Sequence, residues 1–567
     1  MRDIRILIFL YILFSLYIGK LQGQSIDQPI HYPLRLSGTF GELRSNHFHA
    51  GIDVKSSKGV VGDSLFAIED GYISRIMVHP SGYGNALYID HINGLTTVYA
   101  HMDRFENSLN QLIRRYQIKE QSYIIDFNIA PDEFPVKKGQ LIGFLGNTGY
   151  SFGPHLHFEI KRTDNQMLIN PLHFEYKVVD NVAPEIHGLR VYGLDHLRRE
   201  VYKDKLNVIS KNGQYKIHKD TIKVPATRAA FAISSIDKAD QLHHKNGIYR
   251  LEMYVDDSLY FSYQMDSFPK KDTRALNAHT DYEQYMFYGN WYHRLHRLPG
   301  NRLPLYPFTK YDGLVPLVAG EVRSVWINVY DFQGNRSNTQ FYVTQADSIY
   351  NFKKPREYYL LRYDEANRIR RSDIAIHFPE GSLYDNIYFE YFEQKGPSWC
   401  VYSKYFKLHS TRIPIHNTIE ISIKGDKIPK ELRSKAFLAH CVGSTTYNHG
   451  GSWDGDFFTG ITHQLGDFCL MIDTVPPKIS PTVFYAKASK VKEFKFTVTD
   501  NFATSRHISP LQVEAYINDQ WVLAVYNSKT KLLTIPLDQV QSGNHRIRIK
   551  ATDWNGNIGI WEQLFSK

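Results

Sequence analysis

The sequence predicts a mainly β chain built of several domains. Three observations lead there. Aromatic residues make up 14% of the chain, with 39 Tyr, and such side chains suit the pleated surface of a sheet. Short apolar runs alternate with glycine turns, as in "GDSLFAIEDGYISRIMVHPSGYGNALYIDHINGLTTVYAHM" (62–102), where "DG", "SGYG" and "NG" read as hairpin punctuation. A motif pair also recurs. "DNVAPEI" (180–186) and "DTVPPKI" (473–479) each precede strand-like sequence that ends in a D-x-x-G-N turn, "YDFQGNRS" (330–337) and "TDWNGNIG" (552–559).

A length of 567 residues suggests about three to five domains, and 43% hydrophobic residues suffice for several cores. The opening "MRDIRILIFLYILFSLYIGKLQGQ" carries Arg2 and Arg5, then an apolar run from Ile6 to Gly19. That run has the length of a signal-peptide core and is short for a membrane span. Residues 1–24 are therefore expected to be a secretory signal cleaved near Gly23. No Cys follows the run to mark lipid attachment, and no later stretch is apolar enough to span a bilayer. The chain is expected to be exported, to periplasm, cell envelope or medium, with no membrane span after cleavage.

The formal charge is +9, of which residues 1–24 supply +2 through Arg2, Arg5 and Lys20 against Asp3. A mild basic excess suits attraction to an acidic cell wall as well as a generic solvated surface; no nucleic-acid partner is expected. Cys400, Cys441 and Cys469 are the only cysteines. An oxidising compartment would let one pair bridge and leave one thiol free. None lies near 47–157, so a metal there must use His and carboxylate ligands.

Residues 36–175 read as one dense antiparallel β domain. Within it "SLNQLIRRYQ" has Ser108 followed by Gln111 in capping-box spacing, and Leu109, Leu112, Ile113 and Tyr116 recur at helical spacing. A short helix is expected on an excursion spanning 106–135. Long loops with their own helix are often functional, and the excursion is expected to wall a groove. The opening motif, alternating strands and late Asp/Gly/Asn turn fit immunoglobulin-like β-sandwiches at 181–347 and 473–567. Residues 348–472 are β-rich ("DNIYFEYFEQ", "TIEISIKG") but of uncertain class. Their "YNHGGSWDGDFFTG" (447–460) reads as a surface loop, with a binding loop as the alternative.

Two stretches carry chemistry. "HFHAGID" (47–53) has His47, His49 and Asp53; "HLHFEI" (155–160) has His155 and His157 flanking Leu156. Residues two apart on a strand share a face, so His155 and His157 project together while Leu156 and Phe158 point into the core. The same alternation puts His49 and Asp53 on one side of a strand. If the two strands are neighbours, two imidazoles and a carboxylate converge and leave a fourth tetrahedral position open, as catalytic zinc requires. "TVYAHMDRF" ends an alternating strand at His101, a further candidate partner. His79, His91 and His173 match nothing and read as surface. Glu159 shares the histidine face, either orienting a ligand or making an outward salt bridge. No H-E-x-x-H helix occurs, so histidine must handle protons in place of that class's Glu.

Residues 36–175 resemble the LytM/lysostaphin-type zinc metallopeptidases of the M23 family, cell-wall endopeptidases. The matching stretches are "FGELRSNHFHAGIDVKSSKG", "LFAIEDGYI", "YAHM" and "VKKGQLIGFLGNTGYSFGPHLHFEI". The resemblance implies one zinc ion held by His49, Asp53 and His157, with His101 and His155 as catalytic histidines and His47 left at the rim. It also implies a compact antiparallel β domain with a groove over the metal, and peptidoglycan as substrate, cut in the stem peptide or cross-link. The excursion 106–135 departs from the family, which has a short turn there. Other readings are a catalytically inactive relative that regulates another wall hydrolase, or a cell-surface binding scaffold. The C-terminal β domains read as spacers or as modules that bind the wall or cell-envelope proteins.

Overall fold

The computed structural model describes residues 26–178, 180–211, 213–238, 244–398, 400–509 and 511–567. The expected signal segment 1–24 lies outside them. Among the described residues no helix is long and apolar enough to cross a membrane. The fold is mainly β, as the sequence predicts.

The N-terminal region is organised by an antiparallel sheet. Its strands run in the order Leu36–Gly38, Ile52–Lys55, His155–Arg162, Leu95–Ala100, Asn85–His91, Gly71–Val78 and Ile125–Asn128. These are the alternating runs of the sequence, and their apolar faces enter one core with Ile52, Val54, Tyr99, Leu156 and Phe158, each 0% exposed. A smaller sheet of Ser64–Phe66, Leu141–Phe144 and Arg104–Phe105 closes over it.

The excursion does form a helix, Asn107–Lys119, but Glu106 caps it, accepting from the Ser108 backbone N–H at 2.9 Å. Its strand Ile125–Asn128 pairs with Gly71–Val78 at the edge of the sheet four strands from His155–Arg162. Leu109 and Ile113 anchor the helix in the core, and Arg114 reaches Gln539 of the C-terminal region at 3.0 Å. The excursion therefore pads the far edge of the sheet, and these contacts do not place it as a groove wall.

Residues 185–345 build an eleven-stranded sheet in which Gln214–Val224 and Arg336–Gln345 run parallel. The sequence did not announce its helical insert, the turn Lys270–Ala275 followed by helices Leu276–His279 and Tyr282–Tyr288. This region also lends a strand to the first. Ser267–Pro269 pairs with Met167–Ile169 and so extends the N-terminal sheet. Phe268 is 0% exposed and packs its ring 5.1 Å from Phe40 and 5.4 Å from Phe48.

The 348–472 region supplies a five-stranded sheet and five strands of a six-stranded one, whose sixth strand is Ala503–Thr504; residues 478–566 also form two four-stranded sheets around a separate core that includes Phe494, Phe496, Ile547 and Ile549. "YNHGGSWDGDFFTG" is no surface loop: it supplies strands Thr445–Asn448, Ser452–Asp454 and Phe457–Thr462, and His449 is buried. The expected disulfide is absent. All three cysteines are free; Cys441 and Cys469 are buried in one small cluster with Cys400 packed against it.

Since Phe268 packs against Phe40 and Phe48 in a core that the first two regions share, Phe268→Ala should destabilise them by about 3–5 kcal/mol. Urea unfolding followed by near-UV signal checks this; an unchanged midpoint would mean that the added strand contributes nothing.

Candidate metal centre and active site

The centre is assembled by backbone register. Ile52–Lys55 pairs with His155–Arg162 so that Asp53 lies opposite His157 and Ile52 opposite Phe158. On its other side His157 faces Ala100, the last residue of Leu95–Ala100, and His101 follows at once. Gly51 makes the approach feasible, because a Cβ there would sit 2.1 Å from the Phe158 carbonyl oxygen.

His49 arrives by another route than the sequence suggested. It is not on the strand of Asp53. A tight hairpin of Leu43–Arg44 with His47–Phe48 precedes it, and reciprocal backbone bonds, Gly41 N–H to His49 O and His49 N–H to Glu42 O, both 2.9 Å, hold it in place. The bend at 49–51 then lets its ring meet a carboxylate four residues on.

His49 Nε2, Asp53 Oδ1 and His157 Nδ1 converge. Asp53 Oδ1 lies 3.0 Å from His49 Nε2 and 2.9 Å from His157 Nδ1, and the two ring nitrogens are 2.9 Å apart. All three side chains are buried. The outer nitrogens have acceptors of their own: His49 Nδ1 donates to the Thr39 carbonyl at 2.8 Å and His157 Nε2 to Glu159 Oε1 at 3.0 Å. Assigned this way, both rings turn lone pairs inward, as metal ligands must. The donor set of two imidazoles and one carboxylate fits zinc.

His155 and His101 flank this trio. His155 Nε2 is 3.6 Å from Asp53 Oδ1, and its Nδ1 donates to the Gly153 carbonyl at 2.8 Å, with Ser151 Oγ at 3.1 Å. The His101 ring centroid is 4.7 Å from that of His155, and its Nδ1 donates to the Thr148 carbonyl at 2.9 Å. His101 holds a left-handed φ of 60°, a conformation that costs energy for a residue with a Cβ and concentrates at functional sites. His47 is exposed and bonds only its neighbourhood, Nδ1 to Ser45 O at 2.9 Å.

Electrostatics sharpen the picture. Burial pushes His49 down to about 4 and His101 down to about 3, the latter helped by His157 and His155. Burial also acts against charge on His157, but hydrogen bonds to Asp53 and Glu159 outweigh it and bring the ring up to about 9. Burial opposes the charge of Asp53 too, yet His49 and His157 hold it well below the usual carboxylate range. The space between these carboxylates is thus one where positive charge is stabilised.

Several participants escaped sequence reasoning. Arg44 pairs with Asp53 Oδ2 at 2.5 Å; it stands inside a motif stretch but had no periodic signal. Tyr83, read only as part of a turn, donates to Glu159 Oε1. Lys270 lies 3.9 Å from Glu159 Oε2 and comes from the second region, 111 positions away in sequence; nothing local could have indicated it. Glu159 is 0% exposed, so the orienting role fits and the outward salt bridge does not. His91 is buried, bonding Thr97 Oγ1 at 2.8 Å and Glu69 O at 3.0 Å, and is no surface residue. His173 is half-buried against Asp266 at 3.0 Å.

Removing the Glu159 carboxylate frees the His157 ring. Glu159→Ala should therefore weaken zinc binding about 10–100-fold, read by competition with a chromophoric chelator, whereas Glu159→Gln, which keeps an acceptor, should lose less. Equal affinity in wild type and Glu159→Ala would remove Glu159 from the site.

With the geometry in hand, residues 47–118 and 127–171 match the profile of peptidase family M23, and 358–473 match a Zu5-like domain, the stretch left unclassed by the sequence. The DD-carboxypeptidase/endopeptidase Mpg of Neisseria meningitidis serogroup B is 33% identical over 150 residues, 26% of this chain and 28% of that one. The peptidoglycan DD-endopeptidase ShyC of Vibrio cholerae is 30% identical over 148 residues, 26% of each chain. Among solved structures, the catalytic domain of lysostaphin from Staphylococcus simulans aligns at 22% identity, covering 25% of this chain and 91% of that one with a TM-score of 0.19. The chain spans little more than a quarter of the length of the curated relatives it matches. The interruption of the family match, 119–126, falls inside the excursion. The N-terminal domain of this chain is a peptidase domain of family M23.

Proposed function

We propose that the chain is an exported, zinc-dependent endopeptidase that hydrolyses peptide bonds in the stem peptides or cross-links of peptidoglycan. The observation that carries this reading is the convergence of His49 Nε2, Asp53 Oδ1 and His157 Nδ1 beside two further imidazoles. His49, Asp53 and His157 would hold one zinc ion. Bound there, zinc supplies Lewis-acid polarisation of the scissile carbonyl and a lowered pKa for water.

The chain's own groups supply the rest. His155 and His101 each commit Nδ1–H to a backbone carbonyl, so each presents a bare Nε2 on its other side. Such a nitrogen can take a proton from the attacking water, and once protonated it can donate to a developing negative oxygen. Two histidines in ring contact allow both tasks in one turnover. Glu159, buried behind His157 and contacted by Tyr83 and Lys270, fixes the ligand ring. Tyr150 and Phe152, both exposed, stand on the segment leading into His155 and offer an apolar lip for a peptide. The export signal expected at 1–24 and the basic surface accord with a wall substrate.

His157→Ala should lose both bound zinc and muropeptide release from isolated walls. His155→Ala should keep zinc at wild-type stoichiometry and slow release by about 10²–10⁴-fold. Full activity in His155→Ala would sink the assigned role, and stoichiometric zinc without cleavage of any wall type would favour a regulatory protein.

A further inference from the structure

The two Asp-led opening motifs and the two D-x-x-G-N turns do more than punctuate the fold. Each pair closes on a third aspartate. Asp180, Asp237 and Asp331 bring carboxylate oxygens within 4.8 Å of one another, and Asp473, Asp500 and Asp553 do the same. The two constructions share their bonding. Asp180 Oδ1 accepts from Val182 N–H and Asp473 Oδ1 from Val475 N–H, both at 3.1 Å. Asp331 takes the backbone and side-chain amides of Asn335 at 2.8 and 2.7 Å; Asp553 takes those of Asn557 at 2.8 Å each. Asn335 Nδ2 also donates to the Asp180 carbonyl and Asn557 Nδ2 to the Asp473 carbonyl, both at 3.0 Å.

What these turns leave over is oxygen. Asp237 is 3% exposed, and its Oδ1 has no hydrogen-bond partner. Asn246, also 3% exposed, pairs with Asp237 through reciprocal backbone bonds of 3.0 and 2.8 Å, lines the same cavity as Asp180 and Asp237, and leaves its Oδ1 without a partner. In the second cluster Asp473 is 1% exposed and its Oδ2 is unpartnered, as is Asp500 Oδ1. Lys238 pairs with Glu185 at 2.7 Å, and Lys435 donates to the Asn555 carbonyl at 2.9 Å. Buried carboxylate oxygens without donors are costly. Burial first, then Asp180 and Asp331, push the Asp237 carboxyl up to about 8.

We propose that each aspartate triad binds one Ca²⁺ ion. The donors are all oxygen, several of them anionic, which suits a hard cation that takes six to eight such ligands and disfavours zinc or copper. At the first site the Asn246 amide oxygen adds a ligand. Both sites sit at joints of the chain. Asp180 follows the peptidase domain directly, and Asp473 ends the Zu5-like segment. A cation at either place ties the linker aspartate to two strand ends of the module that follows, and so stiffens the joint.

The test uses the full-length, zinc-loaded protein and equilibrium dialysis with radioactive Ca²⁺. Two ions should bind per chain, one in Asp237→Asn, one in Asp500→Asn and none in the double variant. No bound Ca²⁺, or two ions retained in the double variant, overturns the proposal. A single ion in wild type overturns it at whichever joint's variant leaves that ion bound. Should a variant fail to fold, wild-type protein alone decides: Tb³⁺ luminescence sensitised through Tyr249, which lines the first cavity, and Trp554, the neighbour of Asp553, should be displaced by Ca²⁺, and luminescence that Ca²⁺ does not displace counts against both sites.

Discussion

The candidate site depends on one pairing, that of Ile52–Lys55 with His155–Arg162 in the register that sets Asp53 against His157. A slip of one residue would turn every side chain of a strand to the other face, carrying Asp53 into the core and an apolar neighbour to the pocket. The register is fixed from behind by Ile52, Val54, Leu156, Phe158 and Ile160, all 0% exposed. It is fixed from the side by Gly51, where no larger residue fits against the Phe158 carbonyl. The third strand, Leu95–Ala100, then needs only to end where it does for His101 to turn into the pocket. Its left-handed backbone is held by an N–H bond to the Tyr83 carbonyl at 2.8 Å and by the ring's bond to Thr148, so the local strain is offset by contacts the fold already makes.

This explains how much could be read beforehand. The period-2 pattern around His155 and His157, and the spacing of His49 from Asp53, are local facts, and they sufficed to predict the β class and to single out three side chains that the fold does bring together. The route of His49 was not legible, because a bend of three residues imitates two pleats of a strand in its spacing. The cap at Glu106 was misplaced for a related reason: Ser108 and Gln111 satisfy the spacing rule, while Glu106, two residues earlier, accepts from the N–H of Ser108 itself and starts the helix at Asn107. His91 and the glycine-rich 447–460 stretch look polar in sequence, yet their polar atoms find partners inside, and polarity alone does not report burial.

What no local pattern could report is the dependence of the first region on the second. Ser267–Pro269 completes its sheet, Phe268 its core and Lys270 the charge balance behind His157. The C-terminal region also touches the peptidase domain, through Lys529 over the rings of Tyr150 and Phe152 at 4.0 and 4.7 Å and through Asn527 to the Pro80 carbonyl at 3.4 Å. The modules after residue 180 are therefore part of the surroundings of the candidate site and cannot be treated as spacers alone. A peptidase domain cut away at its sequence boundary would expose Phe40 and Phe48 and leave Glu159 without its ammonium partner.

Charge accounting separates the three buried acidic clusters. At the His/Asp site Arg44 pairs with both Asp53 and Glu42, and Lys270 stands 3.9 Å from Glu159. That pocket carries built-in compensation from side chains. Among the described residues of the joint triads, Asp237 Oδ1, Asp473 Oδ2 and Asp500 Oδ1 have no hydrogen-bond partner, while Lys238 pairs with Glu185 and Lys435 donates to the Asn555 carbonyl. Burying three carboxylates together is unfavourable unless protons or cations offset them. The same arrangement is built twice from one motif. A fold that gathers buried carboxylates in this way at both joints, with oxygens of each triad left without a donor, is built to take balancing charge from solution.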